Sequence, residues 1–131
     1  MHRWKTLTLS TAAFVLASGC SSTHEGEVER VAEQLHAALR VDDGAAACDL
    51  LSEEAQEELQ ESGDSCEVAV LEAGVSPDGR VEKVSVYDTS GQVRYDDDVV
   101  FLSEFPEGWK VIAAGCEKQA AAPYDCRVQG G

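Results

Sequence analysis

Apolar positions follow two different periods along this chain, and the change between them divides it. Val28, Val31, Ala32, Leu35 and Leu39 recur at intervals of three and four, which lines one face of a helix. Glu25, Glu27, Glu29 and Glu33 crowd the start of that stretch, where the helix dipole favours acids, and Asp42-Asp43-Gly44 ends it. A short second helix is predicted over 45–51. Ser52-Glu53-Glu54 supplies the cap and acidic first turn of a third, with Ala55 and Leu59 inward and Gly63 as its stop. Asp64-x-x-Glu67 is a capping box for a fourth helix running to Gly74, with Cys66 at its start.

After Pro77-Asp78-Gly79 the period falls to two. Val81, Lys83, Ser85 and Tyr87 alternate with Glu82, Val84, Val86 and Asp88, which predicts a strand over 81–88. Further strands are expected at 92–95, 99–105 and 109–114, separated by Asp96-Asp97-Asp98 and Pro106-Glu107-Gly108. Connections this short imply an antiparallel meander. Helices followed by strands make the fold α+β, with N-terminal helices packed on one face of a four-stranded sheet.

The 131 residues, 14.0 kDa, allow one domain. Ten Lys plus Arg against twenty-five Asp plus Glu give a formal charge of −15. This argues against a nucleic-acid binder, which needs a basic face, and against direct docking on anionic lipid. A hydrophobic fraction of 44% argues for a folded core rather than an acidic tail.

The first twenty residues read as an address. Met1-His2-Arg3-Trp4-Lys5 is a basic opening, and Thr6 to Ala17 carries no charge. The stretch is too short to span a bilayer, which takes about twenty apolar residues, and it reads as a secretory signal. Ala17-Ser18-Gly19-Cys20 resembles a bacterial lipobox, with Ala17 where Leu is commoner. The resemblance implies cleavage after residue 19 and a diacylglyceryl group on Cys20, whose two chains suffice for stable tethering. The expected organisation is a lipoprotein signal peptide at 1–19, a lipidated tether at 20–27 and one domain at 28–131. The capping box Ser22-x-x-Glu25 stands inside that tether. Cleavage removes Arg3 and Lys5 but no acid, so the mature domain is more acidic still and is held at the membrane by lipid alone.

Four cysteines remain besides Cys20: Cys48, Cys66, Cys116 and Cys126. An even number in an exported chain reads as disulfides, with three possible connectivities. Local pairing, Cys48–Cys66 and Cys116–Cys126, needs the least rearrangement. A zinc site of four thiolates is the competing reading, although the chain has no CxxC knuckle. Free thiols are the third.

A helical stretch followed by a curved antiparallel meander resembles the NTF2-like cone fold of the cystatin-like superfamily. Ala47-Cys48-Asp49-Leu50-Leu51-Ser52, Val100-Phe101-Leu102, Gly108-Trp109-Lys110-Val111, Ala114-Gly115-Cys116 and Pro123-Tyr124-Asp125-Cys126 resemble more narrowly a group of small actinobacterial lipoproteins. That similarity spans most of 28–130. It implies a Gram-positive cell envelope and carries no activity. The superfamily includes isomerases, epoxide hydrolases, ligand carriers and interaction domains, so the fold leaves function open.

Enzymes of that superfamily place an Asp, often with Tyr or His, in a pocket between helices and sheet. The chemistry needs a buried carboxylate facing a hydrogen-bond donor. Asp88 and Asp96 are candidates, but each stands beside a turn, where water surrounds it. Tyr87, Tyr95 and Trp109 are the candidate pocket residues, with the plainer reading that they are core or edge aromatics. Asp96-Asp97-Asp98 as a calcium site competes with an ordinary hairpin turn, because adjacent acids alternate faces. His24 lies in the tether and His36 near the polar border of the first helix, neither with a partner at metal spacing, and His2 leaves with the signal. Glu53, Glu54, Glu57, Glu58 and Glu61 form either a docking face for a basic partner or a solvated surface. The loop from Cys116 to Cys126 reads as a staple before a recognition loop. No Ser-His-Asp arrangement and no glycine-rich phosphate loop is evident.

The expected function is therefore that of an exported lipoprotein on the outer face of the cytoplasmic membrane, binding a partner protein or small ligand without catalysis. No metal or cofactor is implied beyond the lipid on Cys20. The alternative is an NTF2-like isomerase or hydrolase working through a pocket Asp and Tyr. It requires a buried Asp beside a donor.

Overall fold

A computed structural model describes residues 20–120 and 123–130, with side chains from Thr23 onward. The expected signal peptide at 1–19 and the Cys20 side chain lie outside the described residues. Four helices precede five strands: α1 (Cys20–Arg40), α2 (Gly44–Asp49), α3 (Glu53–Gln60), α4 (Cys66–Glu72), then β1 (Val81–Tyr87), β2 (Ser90–Tyr95), β3 (Val99–Phe105), β4 (Gly108–Glu117) and β5 (Asp125–Gln129).

α1 buries the expected stripe of Val28, Val31, Ala32 and Leu35. It differs from expectation at its start, because residues 20–27 are helical where a polar tether was expected. The helix runs through Ser22, so Ser22-x-x-Glu25 does not open it. Nothing in that segment stops a helix, since Gly26 costs only about 1 kcal/mol relative to Ala. The His24 ring also meets Trp109 edge-on, with centroids 6.3 Å apart. Past Arg40 the chain turns at Asp42, whose φ is +54°, and Asp43 caps α2 by accepting from the Ala46 N–H at 3.1 Å. Gly44 is the first residue of α2 rather than a stop, and a Cβ there would run into the Glu67 carbonyl of α4. Ser52 caps α3 through the Ala55 N–H as its sequence implied. The box at Asp64 does not form; Ser65 is the cap of α4 and makes no side-chain bond.

Both disulfides are the local pairs. Cys48–Cys66 joins α2 to α4, and Cys116–Cys126 joins directly opposed residues of β4 and β5. Bridges closing loops of 18 and 10 residues each stabilise by about 3 kcal/mol on the chain-entropy argument.

The sheet is an antiparallel meander in the order β1-β2-β3-β4-β5. The fifth strand corrects the expected four. Asp125-Cys126-Arg127-Val128-Gln129 has one aliphatic residue, too little for a periodic signal, and its pairing is fixed by the bridge. β5 covers only the second half of β4. The first half is covered by the α2–α3 link: the Val111 N–H donates to the Leu50 carbonyl and the Ser52 N–H to the Val111 carbonyl, both at 2.8 Å. The Gly130 N–H closes the remaining gap on the Ile112 carbonyl at 2.8 Å, with its Cα against the start of α3 at Glu54 and Ala55.

The register shifts between Val81 and Lys83 and between Phe101 and Leu102, and such bulges bend the sheet. One face of the sheet packs Val93, Tyr95, Val100, Leu102, Trp109, Val111, Ala114 and Val128 against the helices. A Cβ at Gly91 would lie 2.9 Å from both methyls of Val28, so α1 crosses β2 at its smallest residue. On the opposite side Val99, Ala113 and Cys116 form a smaller cluster with Phe101, Tyr124 and Cys126.

Gly44→Ala must push α2 off α4 across the Cys48–Cys66 bridge. The expected loss is about 2 kcal/mol, typical of overpacking, read as a lower denaturation midpoint in urea at unchanged slope with both bridges intact.

Candidate functional site

The β2–β3 connection turns tightly, with the Tyr95 N–H donating to the Asp98 carbonyl at 2.8 Å. Within it the three acids diverge. Asp96 Oδ1 accepts from the Arg80 N–H at 3.0 Å, and Asp97 Oδ2 accepts from the Ser76 hydroxyl at 2.7 Å. Asp98 turns inward, its side chain 1% exposed. One of its oxygens accepts from the Cys116 N–H at 2.9 Å, and the other lies 3.3 Å from His36 Nε2. Among the described residues no group of three or more His, Cys, Asp or Glu is placed to hold a metal ion.

His36 is completely buried. It stands on the α1 stripe rather than at its polar border, one helical turn after Ala32 and two after Val28. The Tyr95 ring leans over its imidazole with centroids 4.2 Å apart and planes 38° from parallel. His36 Nδ1 and the Tyr95 hydroxyl are both buried without a hydrogen-bond partner. Burial, then the nearby Glu33 carboxylate, with Asp98 and Glu29 further contributors, pushes the Tyr95 phenol well above the ordinary tyrosine range. The polar centre thus joins α1, the β2–β3 turn and β4. A buried pair of this kind is costly to form and more costly to leave half-made.

The candidate pocket residues do not come together. Tyr95 and Trp109 lie in the core, whereas Tyr87, at the end of β1, is 83% exposed. Tyr87 borders a shallow groove with Ser85, Gln92 and Phe101, and Tyr95 borders a separate cleft with Asp98, Cys116 and Tyr124. Trp109 borders neither, and its indole N–H is buried unpartnered. Asp88 and Asp96 are exposed turn residues, so the buried carboxylate is Asp98. Its signal was its place directly before Val99-Val100, the first paired residues of β3. His36 was legible from its four-residue spacing with Ala32.

Glu53, Glu54, Glu57, Glu58 and Glu61 are all exposed. Glu58 shares with Asp64, Glu72 and Arg127 an open cleft of about 390 Å³ between α3, α4 and β5. His24 is half-buried near Trp109, its Nδ1 lying 3.8 Å from a Glu27 oxygen. No described helix is long and apolar enough to cross a membrane.

Compared with known proteins, the chain matches no family model, no curated protein and no solved structure.

Two substitutions separate the roles in the polar centre. Asp98→Ala leaves His36 and the Cys116 N–H buried without their acceptor and is expected to cost about 3–5 kcal/mol in equilibrium unfolding. Tyr95→Phe removes only an unpartnered hydroxyl and should be neutral or slightly stabilising at pH 7. Because folding raises this phenol's pKa, the native chain keeps the proton that the unfolded chain releases. Its stability is then full below the ordinary tyrosine value of about 10 and falls as pH rises above it. Tyr95→Phe should flatten that alkaline limb in denaturation series collected at stepped pH.

Proposed function

We propose that this protein is an exported, lipid-anchored envelope domain with an NTF2-like cone fold, whose work is recognition of a partner protein or small ligand without catalysis. The observation that carries the non-catalytic reading is the state of Asp98. Both of its oxygens are engaged, and its side chain and that of His36 are 1% and 0% exposed. A general base must reach the proton that it abstracts, and this carboxylate fastens three elements together instead.

Export is supported by the use of all four cysteines beyond Cys20 in disulfides, which persist in oxidising compartments. The lipobox-like Ala17-Ser18-Gly19-Cys20 supports attachment at the outer face of the cytoplasmic membrane. A bulged antiparallel sheet with its helices on one face supports the cone. One observation favours the enzyme as second reading: Asp98, a buried acid beside a donor, borders an open cleft of about 420 Å³.

Intact-mass spectrometry on protein extracted in mild detergent from its own cells tests the anchor. The expected mass is that of residues 20–131 plus a diacylglyceryl group, less four hydrogens for the two bridges, with Cys20→Ser giving no lipidated species. A lipid-free wild-type mass overturns the anchored reading.

A further inference from the structure

The four described helices pack on one face of the sheet, and no described helix covers the other face of its β1–β3 half. Alternation along the strands turns Ser85, Tyr87, Gln92 and Phe101 to that open side. The register places Tyr87 opposite Ser90, Ser85 opposite Gln92, and Gln92 opposite Phe101. Together with Gly91 these residues line a groove of about 280 Å³. None of its lining residues is charged, in a chain of net charge −15.

Tyr87 is the most exposed large apolar side chain among the described residues. Phe101 is held from one side, with Tyr124 against it edge-on at 5.1 Å and 70°, in the segment tied down by Cys116–Cys126. The groove therefore offers one fixed and one free aromatic ring, with two serine hydroxyls and a glutamine amide that donate and accept without charge.

We propose that this face binds a neutral glycan of the cell envelope, a sugar ring lying on Tyr87 with its hydroxyls bonded to Ser85, Ser90 and Gln92. The proposal names the ligand class for the recognition role above and rests on that reading. Charge selects the occupant. Lys83 and Arg94 stand one step along the strands from Ser85 and Gln92 on the same face, with Arg94 against Glu82 at 3.4 Å, and neither lines the groove. The groove thus has no cationic charge of its own to set against the domain's repulsion of an anionic ligand, and a basic protein is drawn to the glutamates of α3 on the other side. An acyl chain needs enclosure that an open groove lined by hydroxyls and an amide lacks. A sugar ring has one apolar face and a rim of hydroxyls, which matches an amphipathic tyrosine beside uncharged polar groups. The small volume and open ends fit one ring of a longer chain.

Titrating the mature ¹⁵N-labelled protein in detergent micelles with neutral hexose and N-acetylhexosamine tetrasaccharides tests this by amide chemical shift. The expected result is saturable shifts at residues 85–92 and at Phe101 with at least one sugar. Tyr87→Ala should weaken binding by roughly tenfold or more while leaving the remaining spectrum in place, and Tyr87→Phe should retain most of it. The absence of shifts at millimolar sugar, or shifts confined to the acidic cleft of α3 and α4, overturns the proposal. Intact mass of the same sample separates the two readings. A lipidated protein that ignores every sugar loses the glycan and keeps the envelope role, and a lipid-free one that binds loses the anchor and keeps the groove.

Discussion

The Asp98 carboxylate is the point through which the two halves of this chain are tied. One oxygen takes the backbone N–H of Cys116 on β4, the other faces His36 on α1, and its own carbonyl closes the turn that joins β2 to β3. A helix resting on a bent sheet by apolar contact alone can slide, because burial has no direction. A hydrogen-bonded pair in a dry interior has both direction and a heavy penalty for misregistration. Placing it 62 residues apart in sequence sets the depth at which α1 lies across the sheet, and with it the contact between Val28 and Gly91.

Much of the architecture was legible in the order of apolar residues. Every helix was expected near where it lies, because Val28, Val31, Ala32 and Leu35 mark a helical face and Ser52 and Gly63 bracket another. The strand of Val99–Phe105 was expected to the residue, being bounded by strong turns on both sides. β5 was not, since five residues with a single valine have no period to read, and only the bridge to Cys116 puts them in the sheet. The start of α1 was misplaced for the converse reason. Small polar residues permit a helix as readily as a linker, and the contact of His24 with Trp109 is tertiary. The buried centre escaped because both members are polar residue types: His36 reads as the border of the stripe although Leu35 and Ala37 flank it, and Asp98 stands as the last of three acids. What distinguishes Asp98 from Asp96 and Asp97 is the direction in which the turn points it, and composition does not encode direction.

Acidity is distributed with a pattern that bears on recognition. The glutamates of α3 face water on the helical side, and the β2–β3 acids are each occupied by a specific donor. The groove beside Tyr87 is lined without charge in a molecule rich in it. Such a division lets one small domain remain soluble and repel anionic surfaces while still offering a face on which an uncharged ligand meets no electrostatic barrier.

The covering of β4 has a further consequence for how copies of this chain can meet. β5, the Leu50–Ser52 segment and Gly130 together occupy the far side of that strand along most of its length, so the outer edges of the described sheet are β1 and the five-residue β5. Stacking of sheets into a fibre requires two free edges per molecule, one to receive and one to offer. Both edges carry exposed opposite charges, Glu82 and Lys83 on β1 and Asp125 and Arg127 on the short β5, which is how edge strands are kept from pairing with another copy.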